Sequence, residues 1–382
     1  MQLMKLLHRT SAIAADPTKE TIQGTSLVLL EGVAGRLGVS SYVKATASDG
    51  DKTLAVRTGG VAVTMPGQAQ IPAKRLYQIL KLCPEGRTKI EVSGDAAVIT
   101  SGRARWTIQC PKSENILAVP NLTAERLFPV DTRSLLQAIS SVRKAVSPTP
   151  ARVSLMQLDI RGGFATACDG GRVHKRRIDG LSEDVEFSIP YKAVAEIVKA
   201  LTDTEEQVVH LRFSDYAFEL MVGDDSFISA QLTVDFPDID YMLVNPSVTN
   251  ENSLSVSTEE LTEAIKRVKV SSDPDYSAIF LSLVSGPKDA DGDRSWTLNI
   301  KARDKRGNSA QELLDVQWQG ISKPKEICVN YGYLLDLLEA SEKEIAILSI
   351  GEDLKSKKYP VYLENKEIGF TGIVQQMSTE YI

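Results

Sequence analysis

The sequence predicts an α+β chain made of three repeats of one unit: a helix, several strands, a second helix and further strands. Three observations carry that prediction. One apolar helical stripe recurs at three distant places, a second recurs between them, and each copy of the second is followed by a short polar break and a strand-like apolar run. At 382 residues, and at about 150 residues per domain, the length suits two to three domains, each long enough to bury a core. Repeats this far apart are domains, not solenoid units.

In chain order, Leu3, Leu6, Leu7 and Thr10 give the first helix a loose apolar face, and Ser26 to Leu30 reads as a strand. Ile71-Pro72-Ala73-Lys74-Arg75-Leu76 opens a helix striped by Leu76, Ile79 and Leu80, its proline suited to the first turn. Leu135, Ala138, Ile139 and Val142 then share one helical face, and Ser154 to Ile160 follows as a strand. Ile189-Pro190-Tyr191-Lys192-Ala193-Val194 repeats the proline opening ahead of Val194, Ile197 and Val198. In the last third, Leu261, Ala264, Ile265 and Val268 renew the four-residue face and Ala278 to Val284 is the strand. Val329-Asn330-Tyr331-Gly332-Tyr333-Leu334 opens the final stripe of Leu334, Leu337 and Leu338, without a proline. Boundaries near residues 126 and 249 give domains 1–126, 127–249 and 250–382.

Composition excludes several classes. The chain is 42% hydrophobic and 25% charged, with 44 cations against 50 anions, an ordinary globular balance and not a disordered one. Cys83, Cys110, Cys168 and Cys328 lie far apart with no C-x-x-C pair, which argues against a disulfide framework or a zinc site and fits a reducing cytosol. No window supplies the roughly 20 apolar residues of a membrane helix, and the opening residues lack a signal-peptide cleavage site, so a cytoplasmic protein is expected. No Walker loop, H-E-x-x-H or G-x-S-x-G occurs, and neither a metal nor a cofactor is expected.

Opposite the apolar stripes the helices collect cations. These are Lys5, His8 and Arg9, then Lys144 beside Ser140 and Ser141, then Lys266 and Arg267; the second helices add Lys74, Arg75 and Lys81, and Lys192 and Lys199. Any one such helix is also an ordinary solvated face, but the recurrence points to a polyanionic partner. The last helix dissents, with Asp336 and Glu339.

The stretch TACDGGRVHKRR, Thr166 to Arg177, invites three readings. Cys168 and His174 suggest a nucleophile and a base, but no triad pattern accompanies them. Gly-Gly-Arg suggests a phosphate loop, but the helix that should follow the glycines is missing. A strand ending in an Asp-Gly turn accounts for the segment without special chemistry.

Almost end to end, the chain resembles the bacterial DNA polymerase III beta subunit, the sliding clamp. The likeness is carried by IPAKRLYQILKLCPEG (71–86), SGRARW (101–106), CDGGR (168–172), FPDIDYMLVNP (236–246), RVKVSSDPDYSAIFLSL (267–283) and VNYGYLLDLLEA (329–340), in that order, together with the three-repeat plan. The resemblance implies two chains joined head to tail in a six-domain ring, with helices lining the hole and sheets outside. Such a ring encircles duplex DNA regardless of sequence and tethers polymerase, clamp loader and repair proteins through short linear motifs; nothing is catalysed. A travelling ring needs diffuse phosphate contacts, expected here from Lys5, Arg9, Lys144, Lys192, Lys199, Lys266 and Arg267.

Carried over residue by residue, the resemblance implies a peptide groove at Arg152, Leu155, Cys168, Gly170, Gly171, Arg172 and Val173, completed by Pro237, Tyr241, Met242, Tyr276, Asn330, Tyr333, Ile373 and Val374. Val173, Met242 and the tyrosines would be walls, and Arg172 and Asn330 would orient the peptide. The subunit junction is implied where an edge strand of the first domain meets an edge of the third. Lys74, Arg103, Arg105, Trp106 and Ile108 would face Val270 and Glu312.

The sequence departs from the family in three places. Gly170-Gly171-Arg172-Val173 stands where the family usually has Gly-His-Arg-Leu, and Ile373-Val374-Gln375-Gln376-Met377 replaces the usual C-terminal Met-Pro-x-Arg-Leu. The sequence also starts at the first helix, without the strand that usually precedes it. These suit a divergent clamp from a phage, a plasmid or a duplicated locus. Two other readings stay open: a clamp-like partner-binding protein that no longer encircles DNA, and a three-domain enzyme using Cys168 or His174.

Overall fold

In the computed structural model, residues 2–18, 22, 24–35, 40–84, 88–110, 122, 125–243, 252–288, 294–320, 326–350 and 359–378 are described. The expected boundary at 249 lies outside the described residues. The first run of elements is α1 (Gln2–Ile13), β1 (Leu27–Val33), β2 (Tyr42–Ser48), β3 (Lys52–Gly59), β4 (Gly67–Pro72), α2 (Ala73–Leu82), β5 (Thr88–Ser93), β6 (Ala96–Ser101) and β7 (Ala104–Gln109). The second is β8 (Phe128–Asp131), α3 (Thr132–Val142), β9 (Gln157–Arg161), β10 (Phe164–Cys168), β11 (Arg172–Arg177), β12 (Glu186–Pro190), α4 (Tyr191–Thr202), β13 (Val208–Phe213), β14 (Ala217–Val222) and β15 (Asp225–Ala230). A short α5 (Asp240–Leu243) leads to the third: β16 (Ser253–Ser257), α6 (Thr258–Val268), β17 (Ala278–Lys288), β18 (Arg294–Arg303), β19 (Ser309–Gln319), β20 (Ile327–Asn330), α7 (Tyr331–Ser341), β21 (Ile345–Ile350), β22 (Val361–Asn365) and β23 (Phe370–Val374). One order therefore recurs: helix, four strands, helix, three strands.

The expected stripes are the buried faces. Leu6, Leu7 and Thr10 of α1 are buried, and the Thr10 hydroxyl donates to the Leu6 carbonyl at 3.1 Å, so a polar side chain fills the fourth stripe position while remaining paired. In α6 the Ser257 hydroxyl caps the Glu260 N–H at 3.3 Å, with Glu259 and Glu260 in the first turn and Lys266 and Arg267 in the last, as the helix dipole favours. Leu261, Ala264, Ile265 and Val268 pack with Leu334, Leu337 and Leu338 of α7 over the third-run strands, where a single Leu→Ala change costs about 2–5 kcal/mol. The two prolines differ from expectation. Pro72 ends β4 and Pro190 ends β12, each one residue ahead of its helix; having no N–H, proline suits the residue where pairing stops.

The chain divides into two compact units, Met1–Thr132 with Ala195–Gln231, and Arg133–Val194 with Leu232–Ile382. The first holds an eight-stranded sheet in the order β4, β1, β2, β3, β15, β14, β13, β8 and a three-stranded sheet β5, β6, β7. The second holds a twelve-stranded sheet in the order β12, β9, β10, β11, β23, β22, β21, β16, β19, β18, β17, β20. In both, the third strand of one run pairs antiparallel with the last strand of the next. β3 meets β15 with Thr53 opposite Ile228, and β11 meets β23 with Val173 opposite Ile373.

Two strand edges lack the partner that the third-with-last pairing supplies elsewhere. β7 pairs only with β6, and β19 uses residues 309–316 on β18 and only 317–319 on β16. Among the described residues, the outer side of β7 and that of β19 over 309–316 have no strand partner; β4, β5, β8, β12 and β20 are edge strands as well.

Candidate functional site

β10 and β11 form a hairpin closed by Cys168 opposite Val173, with Ala167 opposite His174. Side chains alternate along a strand, so Cys168 and Val173 share one face of the sheet and His174 points to the other. Cys168 is buried in an apolar cluster with Leu155, Val173, Phe236, Ile239, Tyr362 and Ile373, against which Met242 and Leu243 pack. Burial raises the thiol's pKa, and the Gly170 N–H donates to Sγ at 3.3 Å. On the opposite face His174 is fully buried, its Nδ1 hydrogen-bonded to the Ser141 carbonyl at 3.0 Å and its ring edge-on to Phe370. Burial lowers its pKa to about 4. A protonated thiol and a neutral imidazole on opposite faces form no nucleophile and base pair, which corrects the reading that joined them.

The residues expected to form the groove fall into three groups. Leu155, Cys168, Val173, Ile373 and Met242 meet in the cluster just described, to which Phe236, Ile239, Leu243 and Tyr362 also belong. The sequence reading missed those four, although Phe236, Ile239 and Met242 recur every third residue. The Tyr362 hydroxyl donates to the Met242 carbonyl at 3.1 Å and ties α5 to β22. Pro237 and Tyr241 are exposed, Tyr241 at 73%. Tyr276 belongs to a second cluster with Ala278, Phe280, Cys328 and Met377, held by the Met377 N–H on the Cys328 carbonyl at 2.8 Å.

The third group surrounds the turn. Gly170 has φ +90°, and a Cβ there would lie 1.8 Å from the Arg152 guanidinium; a Cβ at Gly171 would lie 2.7 Å from the Tyr333 ring. The left-handed φ favours glycine at 170, where the Arg152 end can swing aside, and at 171 any Cβ would push on the Tyr333 ring. Asn330 caps α7 through Oδ1, accepting from Gly332 and Tyr333 N–H at 2.8 and 3.1 Å. Arg172 is buried, hydrogen-bonded to Asp169, Asp336 and the Lys144 carbonyl. Both orienting groups are thus committed to the fold. Val374 is corrected too: opposite Arg172, it faces the helices and belongs to the third-run core.

The cations expected on the nucleic-acid face are less free than their spacing implied. Arg9 pairs with Asp225, Lys144 with Asp336 and Glu339 at 2.9 and 2.8 Å, Lys266 with Glu263 at 2.8 Å and Arg267 with Glu312 at 2.5 Å. Lys5 and Lys192 are exposed, and Lys199 is half-buried. The acidic residues of α7 that broke the cation pattern are the partners of Lys144 and Arg172.

At the expected junction, Arg103 and Arg105 are exposed and Trp106 is half-buried on β7. Ile108 is only 2% exposed, so its side chain belongs to the chain's own interior; Val270 stands out at 83%. Lys74 pairs with Asp16 at 3.4 Å, and Glu312 pairs with Arg267 of the same chain. A hollow of about 320 Å³ lies between Pro72–Arg75 and Thr107–Gln109. Among the described residues no group of His, Cys, Asp and Glu is placed to hold a metal ion, and no helix is long and apolar enough to cross a membrane.

Repeated helices on antiparallel sheets, open strand edges and an apolar cluster beside a tight turn define a repeated α+β scaffold with a candidate docking surface. No family model matches the chain. The beta sliding clamp of Proteus mirabilis is 24% identical over 299 residues, covering 76% of this chain and 77% of that protein. That of Caulobacter vibrioides is 26% identical over 349 residues, covering 88% and 87%. Among solved structures, the beta sliding clamp of C. crescentus superposes with a TM-score of 0.84 at 22% identity over 99% of this chain and 97% of that one. The DnaN sliding clamp of Bartonella birtlesii, bound to griselimycin, gives 0.83 at 21% over 99% and 97%. The fold is that of these clamps, and the sequence is similar to theirs at low identity.

Proposed function

We propose that the protein is a DNA sliding clamp of three domains, 1–126, 127–249 and 250–382, that closes as a head-to-tail dimer around duplex DNA. The observation that carries this reading is the pattern of strand pairing. The third strand of each run meets the last strand of the next, in β3 with β15 and β11 with β23. β19 is the third strand of the third run and β7 the last strand of the first, and their edges are open. A second copy supplies both missing pairs at once and so closes a six-domain ring.

The filled junctions also give a register. Thr53 and Val173 each end the pair that closes their hairpin, and each faces the residue three beyond the equivalent position in the last strand, Ile228 or Ile373. The matching residues are Ser309, which closes the β18–β19 hairpin opposite Arg303, and Thr107, three beyond Ala104. Thr107 of one chain then faces Ser309 of the other, with Trp106 in the apolar centre beside the exposed Val270. Arg103 and Arg105 run alongside Gln311 and Glu312.

Around the DNA, Lys5, Arg9, Lys144, Lys192, Lys199, Lys266 and Arg267 make phosphate contacts, the paired cations exchanging their present partners for phosphate. Replicative polymerase, clamp loader and repair proteins dock linear peptides on the apolar cluster of Leu155, Cys168, Val173 and Met242, bordered by Arg152, Tyr241 and Tyr333. The protein works in the cytoplasm, at the nucleoid, as a scaffold without a catalytic step. Sedimentation velocity on the pure protein tests the closure: a dimer persisting on dilution supports the ring, and a monomer at every concentration overturns it.

A further inference from the structure

Arg172 joins three elements beside the turn that closes the β10–β11 hairpin, on the face of β11 opposite Cys168 and Val173. Its Nε donates to Asp169 in its own turn at 3.0 Å, one terminal nitrogen donates to Asp336 on α7, and the other donates to the Lys144 carbonyl. The guanidinium covers the Tyr333 ring at 4.2 Å. Tyr333 and Asp336 are three residues apart on α7 and therefore share one helix face. The edge of the Tyr333 ring rests against Gly171, leaving no room for a Cβ. Asp169 completes the enclosure, its Oδ1 accepting from the Gly171 and Arg172 N–H groups at 2.9 and 3.1 Å.

A buried guanidinium stays where its carboxylates hold it, because losing one leaves a desolvated charge partly unpaired. Arg172 in turn holds the face of Tyr333. We propose that Asp336, which lies behind the groove, is a positioning residue for peptide binding: through Arg172 it fixes Tyr333 as a rigid wall. This rests on the groove reading above. Lys144 also reaches Asp336, but it has Glu339 as a second carboxylate on α7; Arg172 has Asp336 as its α7 partner.

The test is calorimetric titration with griselimycin and with a synthetic hexapeptide bearing leucine and phenylalanine, with thermal unfolding measured alongside. Asp336→Asn keeps the shape but loses the charge, and is expected to weaken each probe that the wild type binds by about tenfold, with Asp336→Glu recovering part of the loss. Glu339→Gln, which touches only the Lys144 end, is expected to bind like the wild type. In a Tyr333→Ala background Asp336→Asn should add no further loss, because the wall it positions is already gone. Undiminished binding by Asp336→Asn, or an equal loss with and without Tyr333, overturns the proposal. If the wild type binds neither probe, the groove reading falls, and this inference falls with it.

Discussion

Arg267 on α6 donates to both carboxylate oxygens of Glu312 on β19, at 3.0 and 2.5 Å. In the sequence these two residues point to different surfaces, one toward DNA and one toward the subunit junction. In the folded chain each is the other's partner. The pair is solvent-exposed, so salt and competing phosphate loosen it readily.

Glu312→Gln should release Arg267 for phosphate. Affinity for a short duplex should rise about two- to threefold at roughly 50 mM salt and the gain should vanish near 300 mM. Fluorescence anisotropy measures this directly. An unchanged affinity at the lower salt takes Arg267 off the DNA face.

Acid stability should depend on two buried groups acting in opposite senses. His174 titrates near 4 when folded against an ordinary 6.5, so between those values only the unfolded chain takes the proton and stability falls as pH drops. Asp159, raised by burial from 3.8 to about 6, holds a proton in the fold that the unfolded chain releases, and that contribution is lost as pH rises through about 6. Each is worth on the order of 3 kcal/mol, so they largely cancel in the wild type. Asp159→Asn should expose the His174 loss in urea titrations between pH 6.5 and 4.5, and adding His174→Gln should remove it. A flat profile in Asp159→Asn would contradict the assignment to His174.

Substitutions at the turn should separate space from chemistry. Even Gly171→Ala brings a methyl against Tyr333, so a loss of about 1–3 kcal/mol in stability is expected together with weaker peptide binding. Met242→Asp puts a carboxylate at the half-buried edge of the apolar cluster and should abolish binding with less effect on folding. Calorimetry with differential scanning distinguishes the two. A peptide that binds Met242→Asp as it binds the wild type docks elsewhere.

Much of this architecture was legible because helical periodicity survives in single sequences. The stripes of α3, α6 and α7 are wholly buried faces, and that of α1 is buried except for the half-buried Leu3. β8 and β16 were not legible, since strands of 4 and 5 residues show too little alternation to stand out. Site roles were harder. Asn330 reads as an orienting amide until its cap on α7 is seen, and Arg172 reads as free until Asp336 is brought to it from a distant helix. Val374 alternates with Ile373, so strand periodicity lets only one of the two line the cluster, and the pairing with Arg172 and Val173 decides which. Ile108 gave no such signal: at 2% exposed it is buried within its own chain, which strand periodicity alone does not distinguish from burial at a junction.

The junction register predicts a specific cross-link. Thr107→Cys and Ser309→Cys in one chain should give a covalently closed dimer on mild oxidation, because facing residues on paired strands lie about 4.5–5.5 Å apart at Cα. Trp106→Glu should release folded monomers, since a carboxylate buried without a partner is costly. Non-reducing gels and sedimentation read both. Cross-linking no better than that of a Thr107→Cys and Gln317→Cys pair would reject the register.

Retention on DNA of different topology tests the ring most directly. Loaded with a clamp loader onto nicked circular DNA, the protein should remain through a wash at about 0.5 M salt that strips ordinary phosphate binders, because linkage holds it where contacts cannot. Cutting the circle once should release it from the free ends. Equal retention on circular and linearised DNA after that wash would contradict encirclement and leave a partner-binding protein that does not enclose its template.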